Sequence, residues 1–527
     1  MGERTVRDVT RDLLRELGLT TVFGNPGTTE VPFLTGWPDD FRYVLGLQES
    51  VVVAMADGYA QSRRAPVLVN LHSAGGVGHA LGSVFTAYRN RTPMILTAGQ
   101  QTRTLVFDEP FLGATDAATF PRPYVKHSCE PASAADVPAA IARAHRLATT
   151  APQGPVFVSI PADDWDQPAA DVPARPATPN PAPDPAALAE LAAALDGCAR
   201  PAFVVGPAVD HEGAVPELVE LAERTRAAVW VAPLSARCSF PEDHPRFAGF
   251  LQPERRLLAA ELAAHDLVVV WGAPAFTYHV YRGEAVDELP EMFLVHDDPD
   301  VLARARRGRG VLGSVAHAVR RVAELAGAGQ WRPEPEPCAR PARPEPATPL
   351  PPAYVLSRVR AAWPADAVVV EEAPSHRNDL HEHFPITSRD GGFFACASGS
   401  LGYAIGAAVG AAIADPARPV LALLGDGSSM YGIQAVWSAV REQAPVTFVV
   451  LDNARYAAVA VLGAAGGGRK LPGVELGGTD FAALARSLGC PAETIRTPQE
   501  LDAALARTED GPCLLHVHVA AEQRHLY

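Results

Sequence analysis

Residues 421 to 453, LALLGDGSSMYGIQAVWSAVREQAPVTFVVLDN, decide the fold. Leu421–Leu424 is an apolar run short enough for a buried strand, and Gly425-Asp426-Gly427-Ser428 makes a sharp turn. Ile433, Val436, Trp437 and Val440 then recur at helical spacing. A second apolar run, Val446 to Leu451, ends in Asp452-Asn453. The period passes from strand to helix and back, which predicts a βαβ unit. Parallel strands joined in this way bring their carboxyl ends side by side. Asp426 follows the first strand and Asn453 the second, so a carboxylate and a carboxamide meet at one rim of the sheet. Two hard oxygen ligands suit Mg²⁺, which usually shares its site with substrate phosphates. The glycine turn and the helix N-terminus behind it offer N–H groups to those phosphates. Asp-Gly is also ordinary turn chemistry; Asn453 at the end of the next strand is what turns the reading into a metal–diphosphate anchor.

Outward from this unit, apolar strands alternate with helical patterns along the whole chain. Val67–Leu71, Met94–Ala98, Ala202–Val205, Leu267–Trp271 and Val368–Val370 read as strands, and Cys513–Val519 as a last strand closing the sheet. Two proline-rich stretches, Asp171–Pro185 and Pro333–Pro352, can form neither a helix nor a central strand and read as surface linkers. The expected architecture is α/β, with three doubly wound domains of mostly parallel sheet over residues 1–170, 186–332 and 352–527.

The 527 residues, 48% hydrophobic and 20% charged, have the size and composition of about three globular domains. A net charge of −15 without a Lys/Arg run argues against a nucleic-acid surface. The opening MGERTVRDVTRDLL is a charged amphipathic helix and not a signal peptide, and no apolar run approaches the ~18 residues that span a bilayer. Seven scattered cysteines without a C-x-x-C pair read as reduced residues of a cytoplasmic protein.

Three polar residues of the first segment each stand near the end of a different strand. Thr28 lies in GNPGTTEVPFL, either as a helix N-cap or as a hydroxyl facing the crevice. Glu49 stands between the strand Tyr43–Leu47 and a helix Ser50–Ala60, among apolar neighbours that make a buried carboxyl plausible. His72 follows the strand Val67–Leu71, beside glycines that let the backbone pass close to a ligand. In the middle segment His279 follows Leu267–Trp271 among Phe276, Tyr278 and Tyr281. The rest of that segment shows no recognisable chemistry and no G-x-G-x-x-G.

Taken together, GNPGTTEVPFL, LQES…MADGYAQ, LHSAGGVGHALG, TAGQQTR, YVKHSCEPASAADVP, APQGPVFVSIPADDWD, GAPAFTYH, SGSLGYAIGAA and GDGSSMYGIQAVWSA…DNARY resemble the benzoylformate decarboxylase branch of the thiamine-diphosphate (ThDP) enzymes, over essentially the whole chain. The resemblance implies a pyrimidine-binding domain, a central domain without cofactor and a diphosphate-binding domain. It also implies an active site between two chains, in a homodimer or a tetramer of such dimers. Asp426, Asn453 and the carbonyl of Arg455 would bind Mg²⁺ or Ca²⁺. Gly427, Ser428 and Tyr456 would contact the cofactor, Leu401 would support its bent form, and the carbonyl of Gly399 would accept from its amino group. Glu49 would bond the aminopyrimidine ring. His72 and His279 would transfer protons near neutral pH, and Thr28 would hold the substrate carboxylate. The implied reaction is decarboxylation of a small-molecule 2-oxo acid to an aldehyde; carboligation to a 2-hydroxy ketone is the alternative. Ala395, Ala458, Val459 and Leu462 would line the substrate pocket. Ala395 and Leu462 stand where the benzoylformate enzyme has phenylalanines, and Thr28 where it has serine. A wider pocket, for a larger aryl or branched substrate, is therefore expected.

Overall fold

The computed structural model describes residues 4–175, 180–279, 281, 289–327, 332–387, 390–465, 471–507 and 511–522. Three sheets of six parallel strands form its frame. Their strands run between Thr21 and Pro161, between Pro201 and Leu312, and between Val368 and His518. Counted in chain order within each sheet, the first and third share the order 2-1-3-4-6-5, whereas the second is 3-2-1-4-5-6. The strands are nearly continuous apolar runs because helices cover both faces.

The deciding stretch is the predicted βαβ unit. Val420–Gly425 and Val446–Asp452 pair in parallel, with Gly425 opposite Leu451. The helix between them comes in two pieces, Asp426–Met430 and Ala435–Glu442. Gly432 lies in the break, against the Ile405 side chain. Two expectations need correction. Cys513–His518 is not the closing strand: it lies between Val446–Asp452 and the edge strand Ala492–Ile495, so it is flanked on both sides. The strand before Glu49 is Arg42–Leu45 and stops short of Leu47, which is exposed.

The first and third sheets share one core. Phe23, Val52 and Met55 pack in the same cluster as Ile405, Val409 and Phe448. The contact runs through two helices, Glu49–Arg63 and Ala404–Ala414, with glycines where the backbones meet. A Cβ on Gly410 would lie 1.8 Å from the Met55 carbonyl oxygen, and one on Gly58 2.0 Å from that of Ala407. The central domain keeps its own core around Phe203, Trp271 and Phe293. Arg237 pins all three together. It donates from Nε to Asp210 (2.6 Å) in the central domain, bonds Gln61 on the first, and lies 4.7 Å over the Phe394 ring of the third. No helix among the described residues is long and apolar enough to cross a membrane.

Candidate active site

In open α/β sheets, ligands bind beyond the carboxyl ends of strands where the order reverses. In the third sheet that point lies between Val368–Glu372 and Val420–Gly425. Asp426 begins the helix there. Its Oδ1 accepts from the Gly427 N–H at 2.7 Å, while Oδ2 is buried without a hydrogen-bond partner. Burial, helped by the charge of neighbouring Asp452, pushes the Asp426 carboxyl up to about 6. Burial acts on Asp452 in the same sense but is outweighed, chiefly by the His516 hydrogen bond, so that carboxyl stays below its ordinary value.

Asn453 is buried. Its Oδ1 accepts from the Arg455 N–H at 3.1 Å, and its Nδ2 lies 3.3 Å from His376 Nε2. Asp426, Gly427, Asp452, Tyr456, Gly478 and Thr479 border a cavity of about 90 Å³. A Cβ on Gly427 would strike the Tyr456 ring at 2.3 Å, so these two residues face each other closely. Ser428 is buried one position further on.

This rim suits a metal–diphosphate group. An unpartnered buried carboxylate oxygen and a neighbouring carboxamide oxygen are the donors a hard cation takes. The short helix starting at Asp426 adds N–H groups beside them.

Glu372 organises the opposite wall. Its two oxygens accept from the N–H groups of Gly402, Tyr403 and Ala404 at 2.6 to 2.8 Å, holding the N-terminus of the helix Ala404–Ala414. Burial raises its carboxyl to about 7 even so. The loop it fixes contains Gly399, at φ +75° with open space on its Cβ side, and half-buried Leu401.

The first sheet repeats the arrangement with different chemistry. Glu49 is buried inside the first turn of the helix Glu49–Arg63, one residue further in than expected, because Gln48 takes the cap. Asn25 Nδ2 donates to one of its oxygens at 3.1 Å, and His79 Nδ1 lies 3.1 Å from the other. His72 follows its strand as expected. Its Nδ1 lies 2.8 Å from Glu30 Oε2 and 3.1 Å from Thr29 Oγ1. Thr29 gives its own proton to Glu30 Oε1 at 2.7 Å. Nδ1 therefore donates toward Glu30, and Nε2 is left to take or give a proton.

Thr28 is not an N-cap. Gly27 occupies that position and Thr28 is the first residue of a short 3₁₀ turn, its side chain exposed, while the Gly27 N–H donates to Glu30. Glu30 is absent from the sequence-based candidates. Its signal was an acid three residues after the turn glycine, the spacing that reaches back to a cap N–H. His376 was likewise passed over in EEAPSH.

His279 is exposed on the central domain, its backbone N–H donating to Pro253. Of the expected pocket residues, Ala395 is buried, whereas Ala458 is half-buried and Val459 and Leu462 are exposed on the helix Ala457–Ala465. The central domain also borders a cavity of about 350 Å³, and Ala395 is among its lining residues while Ala458, Val459 and Leu462 are not. Pro207, Gly272, Arg237, Asn90 and Ala397 are on its wall, so all three domains contribute. Among the described residues, no hydrogen bond or ion pair joins the Glu49–His72 group to the Asp426–Asn453 group, and neither cavity touches both. These two groups, one on each sheet, are two candidate half-sites.

Residues 4–118, 188–322 and 373–517 match the family models described as thiamine pyrophosphate enzyme, N-terminal TPP binding domain, central domain and C-terminal TPP binding domain, respectively. The chain is 40% identical over 522 residues to a benzoylformate decarboxylase of Pseudomonas aeruginosa, covering 98% of each. Its fold matches the crystal structure of benzoylformate decarboxylase from Polynucleobacter necessarius with a TM-score of 0.96, at 37% identity over 99% of both chains. It matches a ThDP-dependent 4-hydroxybenzoylformate decarboxylase of Rhodococcus jostii RHA1 with a TM-score of 0.94, at 38% identity over 99% of this chain and 100% of that one. Two half-sites on two sheets of one topology, and this likeness over the full length, lead to one conclusion: the chain belongs to the benzoylformate decarboxylase family of thiamine-diphosphate enzymes.

Proposed function

We propose that the protein decarboxylates an aryl 2-oxo acid bulkier than benzoylformate, in a homodimer or a tetramer of dimers, and in the cytoplasm. The observation that carries the reading is the pair of half-sites. Asp426 and Asn453 stand at the switch point of one sheet, Glu49 and His72 on the other. ThDP, when bound, supplies a carbon nucleophile and accepts the electron pair left behind by CO₂. Asp426, Asn453 and the Arg455 carbonyl hold the divalent cation, and Gly427 and Ser428 hold the diphosphate. Glu49, its carboxyl kept in place by Asn25 and His79, would hold the aminopyrimidine and exchange a proton with it. His72 moves a proton at Nε2 while Glu30 fixes Nδ1. His279 handles the second transfer, and Thr28 orients the substrate carboxylate.

Two observations support a second copy. Among the described residues of one chain, no hydrogen bond, ion pair or cavity joins the two half-sites. Beside His72 runs a segment with Phe107 and Phe111 at 93% and 87% exposure, tied to that half-site by the Ser73 hydroxyl donating to the Leu112 carbonyl. Two large aromatic side chains so exposed beside the half-site are the kind of surface a second subunit covers. Seven free cysteines fit a reducing compartment. The small side chain of Ala395 supports the wider pocket.

The test is CO₂ release from benzoylformate, its 4-substituted analogues, larger aryl and branched 2-oxo acids, with and without ThDP and Mg²⁺. Turnover of a larger aryl substrate above benzoylformate, lost without ThDP, is expected. Benzoylformate as the clear best substrate would overturn the pocket reading. Absence of any turnover by a ThDP-loaded enzyme would overturn the reaction.

A further inference from the structure

Beside the metal–diphosphate rim, three side chains outside the proposed machinery converge on one point. We propose that Asp452, His516 and His518 form a second divalent-cation site, selective for a transition metal such as Zn²⁺ over Mg²⁺. His516 and His518 are two apart on one strand and so share a face, and Asp452 is the register partner of His518 on the next strand. His516 Nε2 lies 2.8 Å and His518 Nδ1 3.6 Å from the same oxygen, Asp452 Oδ2. All three donor atoms fall within 4.8 Å of one another. A tetrahedral ion with bonds of about 2.0–2.1 Å sets its ligands about 3.4 Å apart, so the spacing is already near that of a bound ion.

Two further observations set this cluster apart from a plain ion pair. His516 is 1% exposed, and its Nδ1 has no hydrogen bond but lies 3.8 Å from Asp480 Oδ1. A metal-bound histidine fixes its tautomer through an outer carboxylate; Asp480, whose Oδ1 also caps the next helix at the Ala483 N–H, is the carboxylate facing Nδ1. The His518 ring lies against that of His516, centroids 4.4 Å apart and planes tilted by 41°, its Nδ1 toward the same carboxylate oxygen and its buried Nε2 unpartnered. One histidine suffices to pair with Asp452; the second has no place in such a pair. Two imidazole nitrogens and a carboxylate favour Zn²⁺, Co²⁺ or Cu²⁺ over Mg²⁺, which takes oxygen. Asp452 also borders the 90 Å³ cavity of the metal–diphosphate rim, which places the two cation sites side by side. The set shares no residue with Asp426, Asn453 and Arg455.

The experiment loads the enzyme with ThDP and Mg²⁺, then titrates Co²⁺ and Zn²⁺ while recording visible absorption and metal content after desalting. One Co²⁺ per chain beyond retained Mg²⁺, with the absorption of a four- or five-coordinate ion displaced by Zn²⁺, is expected. His518→Ala, at a partly exposed position, should weaken Co²⁺ at least about tenfold while Mg²⁺ and ThDP content stay unchanged. His518→Gln keeps the shape of the side chain if the alanine variant does not fold. Co²⁺ taken up only in exchange for Mg²⁺, equal uptake by wild type and the His518 variant, or no uptake at all would each overturn the proposal.

Discussion

Glu30 shows how much of a site one carboxylate can set. It is 1% exposed and accepts from the N–H groups of Gly27 and Gly99 and from the Thr29 hydroxyl, and its remaining contact is His72 Nδ1. Glu30→Gln keeps the shape but removes the charge that holds the imidazole. Turnover should fall by about 10²-fold, at the low end of what acid–base catalysis contributes, and the pH–rate profile should shift; an unchanged profile would contradict the role. Glu49→Gln should leave ThDP binding intact, as read by cofactor fluorescence quenching, and lower turnover by about 10²–10⁴-fold. These residues differ in how far the sequence exposed them. Glu49, His72, Asp426 and Asn453 each mark the end of an apolar run, so periodicity located them. Glu30 sits in a turn, where its role depends on which side chain folds back over it. Thr28 and Thr29 are adjacent and chemically alike, and only the 3₁₀ turn decides that Thr29 meets His72 while Thr28 is exposed.

Among the elements, the helix Ala404–Ala414 meets the most constraints. Its glycines face the helix Glu49–Arg63 at backbone contact, and its N-terminus rests on Glu372. Gly410→Ala should cost about 1–3 kcal/mol or more through overpacking, visible as a lowered Tm. Glu372 adds a pH dependence. Its carboxyl rises from an ordinary 4.5 to about 7 in the folded protein. The folded state therefore binds that proton more tightly, and stability falls as pH rises from about 4.5 through 7, by about 3 kcal/mol in all. Denaturant unfolding from pH 5 to 8 should show this slope, and Glu372→Gln should flatten it; an equal slope in both proteins would refute the assignment. The fold was legible at this scale because buried parallel strands write themselves as apolar runs. The order of the strands was not. A run such as Cys513–His518 looks the same at an edge as inside, and its neighbours are chosen by crossovers that leave no local mark. Of the wall of the 350 Å³ cavity the sequence marked Ala395 as a pocket residue and little else, since that wall is assembled from three domains and has no contiguous motif.

Across the whole molecule, two cations tie the three domains together: Arg237, and Arg64, which pairs with Asp210 at 3.5 Å and Asp390 at 2.6 Å. Arg237 is 4% exposed and paired with Asp210, which is itself 1% exposed and also accepts from the Gly391 N–H at 2.9 Å. Removing Arg237 would leave the buried Asp210 carboxylate with only the Arg64 guanidinium at 3.5 Å and the Gly391 N–H. Arg237→Ala should destabilise by up to about 3–5 kcal/mol and should loosen the domains from one another, so limited proteolysis ought to cut within the linker 333–352. Wild-type resistance in the variant would argue against the pin. The two half-sites have a different consequence, one of genetics more than chemistry. In a dimer built as proposed, every site draws one half from each chain. A chain disabled at Glu49 and a chain disabled at Asp426 are then each dead alone, yet a hybrid of the two holds one site with both lesions and one with neither. Random reassortment of equal amounts should restore about a quarter of wild-type activity, so two loss-of-function alleles of this gene would rescue each other when expressed together.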